Sequence, residues 1–534
     1  MNRERRVSAP DRSLGAAIRA AYAAGQEDEA LEPIVKVCRD GAPAGRIGRG
    51  DSVIFYDIRG EREIEITRSL TDPAFAPFPV EKDLGLHFAT MIEYDSTLDV
   101  GVAFPKEGKI RNTLAEVVSL AGLRVVKVAE SEKAAHIGFF MNGKSEEIFP
   151  GEERVIIPSP EGLANYDERP EMSASLVAEA VARKALEPGI RLVIANFANV
   201  DVVGHIENRP AVFRAVEAVD EALGRVAAAA EAAGAILVVT ADHGTVEEWT
   251  YADGTVNTGH TANPVPFILA DFSRSSAVPG LRDDGELADV APTVLELLAL
   301  APPAEMTGRS LIRPGSGQPG GGRTVIVLIL DGWGVGDGGP GDLIAGARTP
   351  HFIALRQRFP RARLASSGEA VGMPPGTVGN SEAGHLHLGA GRRVFLDRVR
   401  IDRAIRDGSF RTNPVFRGAM AHARASGRPL HLMGIISHYS SHGTIDHLFA
   451  LLDMARAEGV ADVYVHGFIG RRGERPESGA IYVEKVEEAC LAIGAGEVVT
   501  VLGRYWSLDR EGNWDRVEKA YRALVYGEGT HAGG

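Results

Sequence analysis

Three aspartates and three histidines carry the strongest chemical signal in this chain. In "DVVGH", Asp201 and His205 stand four residues apart. If the chain turns helical after Asp201, both side chains share a face and can reach one ion. In "ADHG", Asp242 and His243 are neighbours whose side chains diverge and can serve two ions. His260 follows in "NTGHTANPVP", and Asp331 closes the run "TVIVLILDG". Carboxylate and imidazole donors without a thiolate suit Mn²⁺ or Zn²⁺ rather than a structural zinc knot. Singly, each Asp reads equally well as a turn or cap residue, and each His as an ordinary one. The six together point to a two-metal site. Ser381, in the Gly-flanked stretch "VGNSEAGHLHLGAG", is the candidate nucleophile. A serine hydroxyl is inert near neutral pH unless a base or a metal activates it, and no neighbouring Ser-His-Asp order is offered.

Those residues need a scaffold that brings them to one edge. Four runs, "TVIVLILDG" (324–332), "RLVIANFANVD" (191–201), "AILVVTADHG" (235–244) and "VPFILAD" (265–271), are continuously aliphatic. Such runs predict strands buried on both faces. Helical patterns lie between them, in "RAVEAVDEALGRVAAAAEAAG" (214–234), ended by Gly234, and in "ADVAPTVLELLAL" (288–300). The alternation predicts an α/β fold with an open, doubly wound sheet. Asp331, Asp201 and Asp242 then fall at or just past strand carboxyl ends, where such sheets carry their sites. From about 397 onward, "PLHLMGIIS", "DHLFALLDMARAEGV", "DVYVHGFIG" and "WDRVEKAYRALVYGEG" repeat the strand–helix alternation, predicting a second α/β domain. The first hundred residues are less regular, with helical "LGAAIRAAYAAGQ" and then "DSVIFYDIRGEREIEITRSL".

At 534 residues, with 44% hydrophobic and 24% charged residues, the chain can fill two large cores. A net charge of −14 argues against nucleic acid or an anionic membrane as the main partner. The two cysteines, Cys38 and Cys490, have no CxxC neighbour, which fits a reducing compartment, the cytoplasm. No apolar run approaches the ~18 residues of a membrane span. The string "GSGQPGGG" (315–322) is the one low-complexity segment, and an apolar strand begins just after it, as though a second protein started there.

The motifs "LILDGWG", "VGNSEAGHLHLGAGRRV", "GRYWSLDR", "DVVGH", "TADHG" and "HTANPVP" together resemble the cofactor-independent phosphoglycerate mutases, of the alkaline phosphatase superfamily. The resemblance covers nearly the whole chain in rotated order. The segment similar to 324–527 comes first in the family, and that similar to roughly 10–312 comes second. The chain therefore resembles a circular permutant, with the Gly-rich joint (315–323) tying two ancestral ends. This implies an alkaline-phosphatase-like, metal-binding domain over 106–396, and a discontinuous substrate (transferase) domain over 1–105 plus 397–534.

The resemblance implies one metal on Asp201, His205 and His260. It implies a second on Asp331, Asp242, His243 and Ser381, with Ser381 also the phosphorylated nucleophile. The ions would be Mn²⁺, with Zn²⁺ or Co²⁺ as alternatives, and 2,3-bisphosphoglycerate would not be required. Arg59, Arg62, Lys133, Arg472, Arg504 and Arg510 match substrate-binding positions, and His442 matches a substrate-contacting histidine. The implied activity is interconversion of 3- and 2-phosphoglycerate by a monomer acting on a small phosphorylated acid. The chain departs from the family in three places. "SHYSSHGT" (437–444) keeps His442 but carries Thr444 where the family has histidine. "GRRG" (470–473) puts Gly473 on the family's proton-shuttling aspartate, with Glu474 following. "YDIRGER" adds the carboxylate of Asp57 beside two arginines. These edits keep open an alternative, a diverged phosphohydrolase or phosphotransferase acting on a related phosphate or phosphonate acid. A non-catalytic relative would have no physical need for Ser381 and both ligand sets.

Overall fold

A continuous run of aliphatic residues is hidden from water only in a strand covered on both faces, and this chain builds two such sheets. The computed structural model describes residues 13–106, 108–251, 253–273, 280–315, 322–438, 440–470 and 475–533. Arg472, Gly473, Glu474 and most of the Gly-rich joint (316–321) lie outside them. The chain divides into one unit of residues 1–106 and 400–534 and another of residues 107–399.

The first unit contributes β1 (Ile34–Lys36), β2 (Ser52–Phe55), β3 (His87–Ile92) and β4 (Gly101–Phe104). The second contributes β5 (Arg124–Glu130), β6 (Glu152–Ile157), β7 (Ile190–Phe197) and β8 (Ile236–Thr240). It continues with β9 (Val265–Asp271), β10 (Asp284–Glu286), β11 (Val325–Leu330) and β12 (Arg361–Ala365). The first unit resumes with β13 (Leu430–Ile435), β14 (Val463–Ile469), β15 (Glu497–Gly503) and β16 (Thr530–Ala532).

In the 107–399 unit the sheet order is β10-β12-β9-β8-β11-β7-β5-β6. It is parallel except for β9, which runs antiparallel to both β8 and β12. β11, the strand after the Gly-rich segment, sits between β7 and β8, with Val325 facing Leu192 on one side and Ile236 on the other. Every residue of β11 is buried. The long helix predicted from 214 begins earlier and spans Arg209–Ala233. Asn208 caps it by accepting from Ala211 N, Pro210 occupies the first turn, and Gly234 ends it in the left-handed region.

In the other unit the order is β16-β1-β15-β14-β13-β2-β3-β4. β1 pairs in parallel with β16 and antiparallel with β15. Each unit has its own apolar core, one around Val327, Leu328 and Val193, the other around Phe55, Leu432 and Phe468. Burial of each such side chain contributes ~1.5–3 kcal/mol. No helix among the described residues is long and apolar enough to cross a membrane.

Candidate functional site

The neighbouring parallel strands β7, β11 and β8 bring three acids to one sheet edge. Asp331 follows the last residue of β11, Asp242 lies two residues beyond β8, and Asp201 sits on the short helix Asn199–Gly204 just past β7. Gly332 is in the left-handed region, and a Cβ there would come within 2.8 Å of Asp201 Cα, so the turn after Asp331 needs glycine. Ser381 is the first residue of the helix Ser381–Ala390, whose cap Asn380 accepts from Ala383 N. A helix N-terminus favours negative charge.

Ser381 Oγ is held from three sides. It lies 2.8 Å from Lys133 Nζ, 3.0 Å from His243 Nε2 and 3.2 Å from Asp331 Oδ1. Lys133 Nζ also donates to Asp201 Oδ2 at 2.6 Å and to Asp331 Oδ1 at 2.8 Å. Burial opposes the charged ammonium, but Asp331 and Asp201 outweigh it and hold the Lys133 pKa above the usual range. Burial would likewise raise Asp201, yet Lys133 and the histidines push its carboxyl well down. Asp331 moves up, through its own burial and the charge of Asp242.

His205 and His260 aim Nε2 at the same oxygen, Asp201 Oδ1, each at 3.2 Å. Their Nδ1 atoms face backbone carbonyls, Thr258 O at 2.6 Å and Gly379 O at 2.8 Å. Those carbonyls fix a proton on Nδ1 and leave Nε2 as a donor toward an ion. Despite the proximity, the buried Asp201 Oδ1 and Asp242 Oδ2 have no hydrogen-bond partner among the described residues. Two unpartnered buried carboxylate oxygens, each beside imidazoles, fit divalent cations. Asp201 with His205 and His260, Asp201 with His243 and Asp331, and Asp242 with Asp331 and His385 each bring three donor atoms within 4.8 Å of one another.

All seven residues expected as metal ligands therefore converge. His385 joins them without having been singled out in the sequence. Its Nδ1 lies 2.8 Å from Ser381 O and 3.2 Å from Asp242 Oδ2, while Nε2 contacts Asn196 Nδ2 at 3.0 Å. Asn196 in turn donates to Asp331 Oδ2 at 2.7 Å. The available signal was spacing: His385 stands four residues after Ser381, on the same helical face. Lys133, expected among the substrate cations, lies with the carboxylates.

The remaining expected cations belong to the other unit. Burial, then the like charges of Arg510, Arg504 and Arg59, lower the pKa of Arg62, so each of the three acts on that one guanidinium. Arg62 Nη1 donates to Leu508 O at 3.0 Å, Arg504 pairs with Glu29 at 3.0 Å, and Arg510 pairs with Glu61 at 2.6 Å. Arg59 Nη1 donates to Ser441 Oγ at 3.2 Å, one residue from His442. His442 is buried with its Nδ1 2.7 Å from Glu63 Oε1. Clustered cations favour a multiply charged anion. Arg472 is outside the described residues.

With this geometry in hand, comparison with known proteins gives two family matches. Residues 27–302 match the Metalloenzyme superfamily, and residues 401–533 match the BPG-independent PGAM N-terminus. A 2,3-bisphosphoglycerate-independent phosphoglycerate mutase of Moorella thermoacetica is 45% identical over 56% of this chain and 57% of its own. One from Methanosarcina acetivorans is 41% identical over 55% and 56%. The chain thus spans a little over half the length of the curated relatives it matches. A solved structure, a Leishmania mexicana phosphoglycerate mutase at low cobalt concentration, aligns over 52% of this chain and 53% of that one, at 29% identity and a TM-score of 0.37. Asp201, His205, Asp242, His243 and His260 lie within the matched residues 27–302, a match that takes in more than half of the chain, and the protein belongs to the Metalloenzyme superfamily.

Proposed function

We propose that this protein is a metal-dependent phosphoglycerate mutase, independent of 2,3-bisphosphoglycerate, that interconverts 3- and 2-phosphoglycerate through a phosphoserine at Ser381. The observation that carries the reading is Ser381 Oγ, fixed at a helix N-terminus beside Lys133, His243 and Asp331. Asp201, His205 and His260 would hold one divalent ion, and Asp331, Asp242, His243 and Ser381 the other, with Mn²⁺ our assignment. Such a pair, when bound, stabilises the attacking and leaving oxygens of an in-line displacement. The chain's own groups do the rest. Ser381 takes the phosphoryl as the substrate P–O bond breaks, and Lys133 offsets charge at Oγ. Arg59, Arg62, Arg504 and Arg510, with Arg472, grip the phosphate and carboxylate of the acid. The other hydroxyl of the retained glycerate then accepts the phosphoryl back.

We further infer that the segment order is circularly permuted. Support comes from the match to a family N-terminus at 401–533, following the superfamily match at 27–302, and from the entry of β11 between two strands that precede it. The reading is of a cytoplasmic monomer without nucleic-acid or membrane partners.

The test supplies purified protein with Mn²⁺ and 3-phosphoglycerate and follows 2-phosphoglycerate and free phosphate. We expect 2-phosphoglycerate, and Ser381→Ala should abolish phosphoenzyme labelling while keeping the melting temperature. Free phosphate without 2-phosphoglycerate would replace the mutase with the phosphohydrolase alternative, which Thr444 and Gly473 favour.

A further inference from the structure

Within the 107–399 unit, the loops that carry the expected metal ligands close on a carboxylate that is not one of them. Glu247 lies in the single turn Val246–Glu248 and is 2% exposed. Its Oε2 accepts from Thr245 N at 2.8 Å. Its Oε1 accepts from Thr261 Oγ1 and from Asn263 Nδ2, the latter at 3.2 Å. Thr245 stands two residues after His243, and Thr261 directly follows His260. The loop after Asp331 packs on the same group, because a Cβ on Gly334 would run into Glu247 Cδ and both carboxylate oxygens. Val335 N then donates to Pro264 O at 2.8 Å, tying that loop to the one after His260. Three ligand-bearing loops thus share one side chain.

Those bonds lead to two imidazoles. Thr245 Oγ1 and Gly244 O each lie 3.3 Å from His243 Nδ1. Gly244 O is itself fixed by Thr261 N, which donates to it at 3.0 Å. With Nδ1 engaged on that side, His243 Nε2 faces Ser381 Oγ, Asp242 and Asp331. The rings of His243 and His260 are stacked with centroids 3.9 Å apart, so a shift of either presses on the other. Charge adds a second argument. Buried carboxylates are rare unless a cation accompanies them. Among the described residues, the groups that bond the Glu247 carboxylate are a backbone amide, a hydroxyl and a carboxamide, all uncharged. Divalent ions on the neighbouring loops would supply the missing positive charge without contacting Glu247. A mere loop staple needs an acceptor of this length but no charge.

We propose that Glu247 is a positioning residue for both metal ions, orienting His243 through Thr245 and His260 through Thr261, and lending the pair a buried negative charge. The proposal rests on the two-ion reading above and adds to it a residue outside either ligand set. His243 and His260 belong to different sets, so one carboxylate couples the two ions. Glu247→Gln separates this role from that of a staple. A glutamine has the same length, its oxygen can still accept from Thr245 N, and the Thr261 hydroxyl can turn to accept from its amide. The variant keeps the loops bonded and removes the charge.

The test titrates the full chain with Mn²⁺ alone, with no phosphorylated acid present, and counts bound ion by electron paramagnetic resonance. Glu247→Gln is expected to weaken both Mn²⁺ equivalents by roughly 10–100-fold. Wild-type affinity at both equivalents would overturn the proposal and leave a loop staple. A loss confined to one equivalent would overturn it too, since the carboxylate would then serve one ion. With Co²⁺ in place of Mn²⁺, the visible d–d bands of Glu247→Gln should shift as the imidazoles reorient. Superimposable bands would overturn the positioning role. Because Glu247→Gln can fail to fold, Thr261 gives a second reading. Thr261→Val should weaken Mn²⁺ binding by about tenfold or more, and Thr261→Ser, which keeps the hydroxyl, should restore it. Equal affinity in those two variants would overturn the path through Thr261. A wild type that takes fewer than two Mn²⁺ would overturn the proposal at its base. A wild type that takes two, loses grip on both in Glu247→Gln, yet leaves 3-phosphoglycerate untouched would defeat the mutase reading and keep the role of Glu247.

Discussion

Carboxylates crowded at one sheet edge repel, and Lys133 offsets part of that by bonding Asp201 and Asp331 together with Ser381 Oγ. Divalent ions would relieve the remainder, so metal should stabilise the fold as well as activate it. Mn²⁺ at a hundredfold excess over its Kd is expected to add ~2.7 kcal/mol. Thermal melts with and without chelator check this, and Lys133→Met should enlarge the metal-dependent shift. An equal or smaller shift in the variant would remove Lys133 from the cluster's charge balance. At this scale the sequence was most legible where residue type and strand end coincided, as at Asp331 and Asp242. His385 escaped because it sits in "GHLHLGAG", whose apolar and small residues read as a buried helix, and only its four-residue spacing from Ser381 marks its face. Asn196 escaped for a related reason, as one polar residue inside an aliphatic run. No reading of single residues could place Lys133, because its position depends on a strand the sequence disguised.

That strand is β5, "RVVKVAE", where Lys127 breaks the aliphatic run and hides the strand signal. Lys127 is wholly buried, bonded to Asn142 and 3.4 Å from Glu152 on β6, which also takes Arg154 Nε at 2.7 Å. Burial lowers the Lys127 pKa to about 8 against the pull of Glu152. Removing one partner strands a buried charge. Glu152→Gln is therefore expected to cost ~3–5 kcal/mol in urea unfolding, and adding Lys127→Met should return most of it. A loss below ~1 kcal/mol in the single variant would show that Asn142 and Arg154 suffice. β8 and β11 were readable because nothing interrupts them, and β7 because Arg191 and Asn196 still leave the apolar run 192–195 between them. β12, "RARLA", alternates buried and exposed residues and carries two arginines, so it offers no continuous run to find.

At the scale of the molecule, acid sensitivity follows from burial. His136, His387, His431, His442 and His466 are all lowered by burial and are neutral in the folded chain. Unfolded, each regains an ordinary pKa near ~6.5 and binds a proton below it. Stability from these groups is present above that value and is lost as pH falls from about 6.5 toward 4. His205, His260 and His385 are raised and act in the opposite sense, but metal binding requires them unprotonated. Melting temperatures of the Mn²⁺-loaded protein should thus fall across that window, and a flat profile would contradict the burial argument. The 107–399 unit is continuous and has its own core, so a fragment with those bounds should fold cooperatively and bind Mn²⁺. A broad, metal-independent melt would show that it needs the rest of the chain. The middle position of β11 has a consequence during synthesis. Until residue 330 leaves the ribosome, β7 and β8 have no strand to join them, and each offers a bare hydrogen-bonding edge. At ~5–20 residues per second, the nascent chain carries those edges for several seconds after β8 is complete, and this interval is when a chaperone would have most to protect.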